Sequence, residues 1–195
     1  MNGSATVVRS GCMAKDADMI LSEFILLGIG GKELSEENAA QTAKALNISQ
    51  PDFIRVHATG IKLESKLGEF VRDGSFTLQS EEEIVIEQKL FLQQLHEMDS
   101  YYVNEHIVNL LLEVRGNLRT EKQEMLSTID RFLTLPPDER LLFTVGRRLN
   151  IFFRLDDLKK PKLHQKAGES LQQILSKNPH VDFAALCNYV RQSQI

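Results

Sequence analysis

The sequence predicts an all-α protein, and three observations carry that expectation. Apolar residues recur at spacings of three and four through most of the 195 residues, the period that lines one face of a helix. Period-2 alternation is nowhere sustained, and β-branched runs are short. Serine, glycine and proline punctuate the apolar stretches where helices need caps and stops.

Taken in order, residues 1–15 are small and polar without a period and read as a flexible leader. From Asp16 onward Met19, Ile20, Phe24 and Leu27 fall at helical spacing. Gly28, Gly30 and Gly31 end that helix, because glycine adopts the left-handed stop without a side-chain clash. Ser35 caps a second helix through Ala39, Ala40, Ala43 and Leu46. After a short turn at Asn47-Ile48, Ser49 opens a third helix, with Ser at the cap, Pro51 in the first turn and Asp52 reaching back. Residues 62–73 form a short helix closed by Gly74. Ile84, Ile86, Leu90, Leu95, Tyr102, Ile107, Leu110, Leu111 and Val114 give 80–115 a long helical pattern. It is one helix, or two with a bend at Met98-Asp99-Ser100, and Gly116-Asn117 stops it. Helices over 119–134, 138–155, 162–177 and 182–193 follow, separated by Pro136-Pro137, Pro161 and Asn178-Pro179. No internal repeat or low-complexity tract interrupts them.

Composition excludes several classes. With 42% hydrophobic and 26% charged residues the chain has the make-up of a globular protein, not a disordered one. A net charge of -4 excludes a histone-like polycation. No stretch approaches the roughly 18 consecutive apolar residues of a transmembrane helix, and residues 1–15 lack the apolar region of a secretory signal. Cys12 and Cys187 stand near opposite ends without a spaced framework, and read as free thiols of a cytoplasmic protein.

The most informative stretch is 39–57, AAQTAKALNISQPDFIRVH, which has the layout of a helix-turn-helix. Ala43 lets a second helix cross closely, Asn47 tolerates the left-handed turn, and Leu46, Ile48, Phe53 and Val56 are spaced to anchor both helices. Ser49, Gln50, Asp52 and Arg55 then point outward from the start of the second helix, the part that enters a major groove in DNA-binding versions. Gln50 has the donor–acceptor pair for an adenine edge, Arg55 the fork for guanine, and Asp52 the acceptor for a cytosine amino group. Ser49 and Lys44 are placed for phosphate. A helical corner with no DNA role has the same layout. Residues 32–72 also balance six basic residues, Lys32, Lys44, Arg55, Lys62, Lys66 and Arg72, against six acidic ones, a poor ground for phosphate binding.

Lys62 to Thr77 adds an amphipathic helix ending in Arg72-Asp73-Gly74-Ser75-Phe76-Thr77. With ISQPDF before it, this package resembles the DNA-binding core of the ParB/KorB family of partition proteins over residues 34–77. The resemblance implies sequence-specific binding of double-stranded DNA, by a homodimer, in plasmid or mobile-element partition or in transcription control. The chain departs from the family in three ways. It lacks the G-x-x-R-x-x-A nucleotide-binding box, so a CTP-driven clamp is not implied. Glu64 stands where the family has proline, and Gln79-Ser80-Glu81-Glu82-Glu83 replaces an alanine- and histidine-rich segment.

A second feature is basic. Between Arg140 and Lys166 eight Lys or Arg residues meet only Asp156 and Asp157. On a helix over 138–155, Arg140, Arg147 and Arg154 recur every seven residues and share one stripe, with Arg148 beside it. Such a stripe neutralises DNA phosphates, grips an acidic protein partner, or pairs with the protein's own acids.

Catalysis finds little footing. His57, His96, His106, His164 and His180 form no metal-ligand pair, no phosphate loop or nucleophile elbow occurs, and neither cysteine has an activating basic neighbour. The organisation expected is therefore a leader (1–15), a helix-turn-helix unit (16–77) and a helical bundle (80–195) for dimerisation or partner binding. Neither enzyme activity, nor a cofactor, nor a metal, nor a membrane contact is expected. The alternative to DNA binding is an all-α adaptor that binds a protein partner.

Overall fold

The all-α expectation does not hold: the computed structural model, which describes residues 3–194, contains a four-stranded mixed sheet among its helices. The chain runs α1 (Gly3–Asp16), β1 (Ser22–Leu27), α2 (Ser35–Ser49), β2 (Phe53–Ala58), α3 (Lys66–Asp73), α4 (Glu81–Gln94), β3 (Tyr101–Val103) and β4 (Gly116–Asn117). It continues through α5 (Leu118–Leu133), α6 (Pro137–Arg148), a 3-10 turn (Leu155–Lys159), α7 (Pro161–Lys177) and α8 (Phe183–Gln192). The fold is α/β. The expected leader is largely helix α1; its first two residues, and the last residue of the expected bundle, lie outside the described residues.

The corrections have local causes. Ser49 ends α2 instead of opening a recognition helix. Gln50 takes a left-handed backbone (φ 43°, ψ 60°) and its N–H bonds back to the Leu46 carbonyl. Pro51 has no N–H with which to extend a helix, and a residue before proline avoids the helical region. Helix, left-handed residue, proline is a stop signal. The next six residues alternate in burial, with Ile54, Val56 and Ala58 inward, which is the period of a half-covered strand. Ser22–Leu27, read as helical from a handful of apolar residues, also alternates, with Ile25 and Leu27 inward. The long helix over 80–115 is α4 alone, opened by a Ser80–Glu83 capping box. Tyr102, on β3, is fully buried and its hydroxyl accepts from Gln88 of α4 at 3.0 Å. Helix 138–155 stops at Arg148, where Asn150 (φ 56°) turns the chain back.

Strands β1, β2 and β3 are parallel neighbours, Ser22 opposite Phe53 and Phe53 opposite Tyr101; β4 closes the order antiparallel to β3. Helices α2 and α4 pack together over one face of this sheet. Ala39, Ala43, Leu46, Ile84, Val85, Phe91 and Leu92 meet Ile25, Leu27, Ile54, Val56, Ala58 and Tyr102 there in one apolar core. The core continues under α5 and α6, where Phe132, Phe143 and Phe152 stack in series with centroids 5.8 and 5.9 Å apart. Among the described residues no helix is long and apolar enough to cross a membrane.

Candidate functional site

Of the residues expected to read DNA, Ser49, Gln50 and Asp52 border one open cavity, whereas Lys44 and Arg55 lie apart from it. Ser49 is buried at the end of α2, Gln50 is the left-handed cap, and Lys44 is exposed on α2 beside a pocket lined by Asn47, Ile48 and His96. Asp52 accepts from Lys15 Nζ (2.7 Å) and the Leu21 N–H (2.8 Å), and these contacts, Lys15 first, hold its carboxyl below the usual range. Asp52 thus ties α1 and the entry of β1 to β2. Lys15, Asp52, Ser49, Gln50, Met98 and Arg119 line an open cavity of about 440 Å³ at the N-terminal ends of the strands. Asp99, also there, accepts from Asn117 Nδ2 at 2.7 Å. Arg55 lies elsewhere, on β2.

The arginine stripe does not form. Arg154 lies beyond the end of α6 and is exposed. Arg140 Nη1 donates to the Leu133 and Leu135 carbonyls (2.7 and 2.8 Å), and its Nε stands 3.0 Å from Glu82. Arg147 and Arg148 point inward. Arg147 Nη2 donates to the carbonyls of Ile107 and Asn109 (3.1 and 3.2 Å), and burial, then Arg148, pushes its pKa down to about 10. Arg148 donates twice to Glu81 and once to the Val108 carbonyl, while Arg191 of α8 grips the same carboxylate. Burial alone would raise the Glu81 carboxyl; the two guanidiniums outweigh it and hold it low.

This polar interior fills the C-terminal ends of the parallel strands, where α/β proteins most often bind ligands. Asn109 donates to the Val56 carbonyl and accepts from the Ala58 N–H, both at 2.7 Å. Asn188 brackets Ile61 in the same manner (2.8 and 2.9 Å). Glu87 accepts from the Gly28 N–H, Ser35 and Asn38. Protein groups occupy the places a ligand would take. Among the described residues no cluster of three or more His, Cys, Asp or Glu is arranged for a metal. Cys187 is buried beside Glu81, and burial, then that charge, pushes its thiol up to about 12, so it is no nucleophile at neutral pH.

What remains open is the second face of the sheet. Its outward positions are Ser22, Phe24 and Leu26 on β1, Phe53, Arg55 and His57 on β2, and Tyr101 and Val103 on β3. Phe24 is 65% exposed, Leu26 46% and Tyr101 40%. The Arg55 guanidinium lies 5.9 Å from the ring centroids of both Phe24 and Phe53, and its Nε donates to Ser22 Oγ at 3.1 Å. Phe24 meets the His57 ring edge-on at 5.5 Å, and His57 stacks at 4.3 Å on His106, from the loop after β3. Beyond Tyr101 the surface runs into a hollow of about 370 Å³ lined also by Leu112, Glu113, Phe153 and Arg154. The signal for this face was present in the sequence: Phe53 to Ala58 alternates at period two, over six residues only.

Burial first, then His106 and Arg55, lower the pKa of His57. A histidine whose folded pKa lies below its unfolded value binds protons more readily once unfolded. It therefore subtracts stability as pH drops below the unfolded value of about 6.5. In an NMR titration His57 is expected to titrate below that value, and His106→Ala to move it back up. An unshifted His57 in the parent protein would contradict the stacked arrangement.

No protein-family model, curated protein or solved structure matches the chain.

Proposed function

We propose that the protein is an interaction module, an adaptor that docks a protein partner on the open face of its sheet. One observation carries the reading: three parallel strands present Phe24, Leu26, Phe53, Tyr101 and Val103 on one face that, among the described residues, no helix packs over. Parallel sheets are ordinarily covered on both faces, because their crossovers lay helices on each side. Here α2 and α4 lie on the same side. Single exposed apolar side chains are normal on a protein surface, but a contiguous patch of this kind marks an interaction site. Duplex DNA recognition through Ser49–Arg55 draws no support from this geometry, since the segment offers no helix to lay in a groove.

The test is site-specific photo-crosslinking in the cells that make the protein. A benzophenone side chain at Phe24 is expected to give a discrete heavier adduct. The same group at Tyr189, which is 66% exposed on α8, is expected to give none. Leu26→Asp in the Phe24-labelled protein should abolish the adduct. Equal labelling from both positions, or none from Phe24, would overturn the reading.

A further inference from the structure

Resting on that reading, we propose that the docked partner is a segment whose apolar side chains lie on Phe24, Leu26 and Tyr101 and whose carboxylate is received by Arg55. The observation behind this is an unbalanced charge. Arg115, Arg131, Arg140, Arg148 and Arg191 each stand within salt-bridge distance of a carboxylate. Arg55 has none among the described residues, as is also true of Arg72, Arg119, Arg147 and Arg154, but Arg55 alone of these stands on the open apolar face of the sheet, in a chain with 27 Asp and Glu against 23 Lys and Arg. None of the outward residues on β1, β2 or β3 is acidic, so the sheet supplies it no counter-charge. Yet Arg55 is held. Ser22 takes its Nε, and two aromatic rings flank its guanidinium, while the terminal nitrogens make no hydrogen bond to the described residues. A guanidinium fixed between rings with its fork free is preorganised for two parallel bonds to a carboxylate. His57, two residues along the same face, packs against Phe24 and His106.

Other occupants fit less well. A second copy joined about a two-fold axis through this face would bring the same set of outward residues together, none of them acidic, leaving the charge unanswered by the sheet. A nucleic-acid strand needs cations spaced along its phosphates and rings under successive bases. This face has rings but a single arginine, set between Phe24 and Val103 with no second Lys or Arg among its outward residues, in a protein of net charge -4. An acidic, apolar peptide satisfies both the patch and the unpaired charge.

The experiment is selection of displayed short random peptides on the immobilised full chain, followed by anisotropy with the enriched sequences. Peptides combining Asp or Glu with Phe, Leu or Ile are expected. Changing the peptide's acid to its amide, or Arg55→Gln in the protein, should each weaken binding roughly tenfold, the scale of one charge-assisted hydrogen bond. Arg55→Glu should shift the selection toward Lys- and Arg-bearing peptides. Phe24→Asp separates the two claims. If it leaves the peptides bound, or if no peptide needs Phe24, docking on the face fails and the carboxylate proposal with it. If Phe24→Asp abolishes binding while Arg55→Gln and the amide peptide change nothing, only carboxylate recognition fails. An oligouridylate that outcompetes the peptides and is lost with Arg55→Gln would overturn the proposal in favour of single-stranded nucleic acid. A dimer in sedimentation velocity that Phe24→Asp dissolves would overturn it in favour of a second copy.

Discussion

Glu81→Ala is expected to lower the unfolding free energy by about 3–5 kcal/mol, the range for removing one partner of a buried ion pair. The Glu81, Arg148 and Arg191 side chains are all within 3% of complete burial. Without the carboxylate, Arg147, Arg148 and Arg191 would share an interior with no counter-ion, and Arg147 already lacks partners for Nε and Nη1 among the described residues. The loss is also architectural. Glu81 opens α4, Arg148 closes α6, and Arg191 belongs to α8 and donates from Nε to the Thr59 carbonyl just past β2. One carboxylate joins both later helices to the sheet-covering helix. Because its pKa is lowered by folding, its contribution is complete above the unfolded carboxyl value of about 4.3. That contribution fades as pH falls through the lower folded value, so Glu81→Gln should remove part of the acid sensitivity along with the stability. Denaturant melts from neutral to acidic pH read both effects. Glu82→Ala is the control, since its pair with Arg140 is half exposed and such pairs contribute about 0–1 kcal/mol. Equal losses for Glu81 and Glu82 would show that the buried cluster does not hold the helices.

Long elements with their own end signals were legible in the sequence. α2, α5, α7 and α8 begin and end close to where periodicity, caps and prolines put them, because those signals lie inside the helix and its flanks. The sheet was not, because its strands borrow their stability from neighbours. β3 is three residues and β4 two, too short for any period to register. β1 is six residues, and the same apolar side chains satisfy a helical spacing when read together with Met19 and Ile20. Ser49-Gln50-Pro51 misled for a chemical reason: proline suits both the first turn of a helix and the residue after a left-handed stop, and only Gln50's backbone decides between them. The seven-residue arginine spacing places Arg140 and Arg147 on α6 as expected. It says nothing about which side is buried, and the carbonyls of Ile107, Val108 and Asn109 needed donors. The alternation of β2 was there to read over six residues, but that its outward side stays open follows from tertiary placement, since it depends on α2 and α4 lying on one side.

Gly146→Ala is expected to cost about 3 kcal/mol, the upper end of the range for overpacking a core. A Cβ at this position would stand 2.4 and 2.5 Å from two carbons of the Phe152 ring, well inside contact distance. The ring cannot yield, because it stacks nearly parallel on Phe143, at 8°, on one side. Ala167 closes the other side of the space, 3.2 Å from the same Cβ position. The close approach exists because the chain doubles back after α6: the N–H groups of Ile151 and Phe152 both donate to the Gly146 carbonyl, at 2.8 and 3.2 Å. That turn carries Phe153 and Arg154 to the hollow beside Tyr101, so the glycine also positions the flank of the proposed docking face. If steric crowding is the cause, Phe152→Leu should recover part of the loss when combined with Gly146→Ala, and the two changes should be strongly non-additive. Additive losses would place the damage in the helix backbone instead. In that case binding of the selected peptides should survive in whatever fraction remains folded, whereas a displaced turn should weaken them in fully folded protein as well.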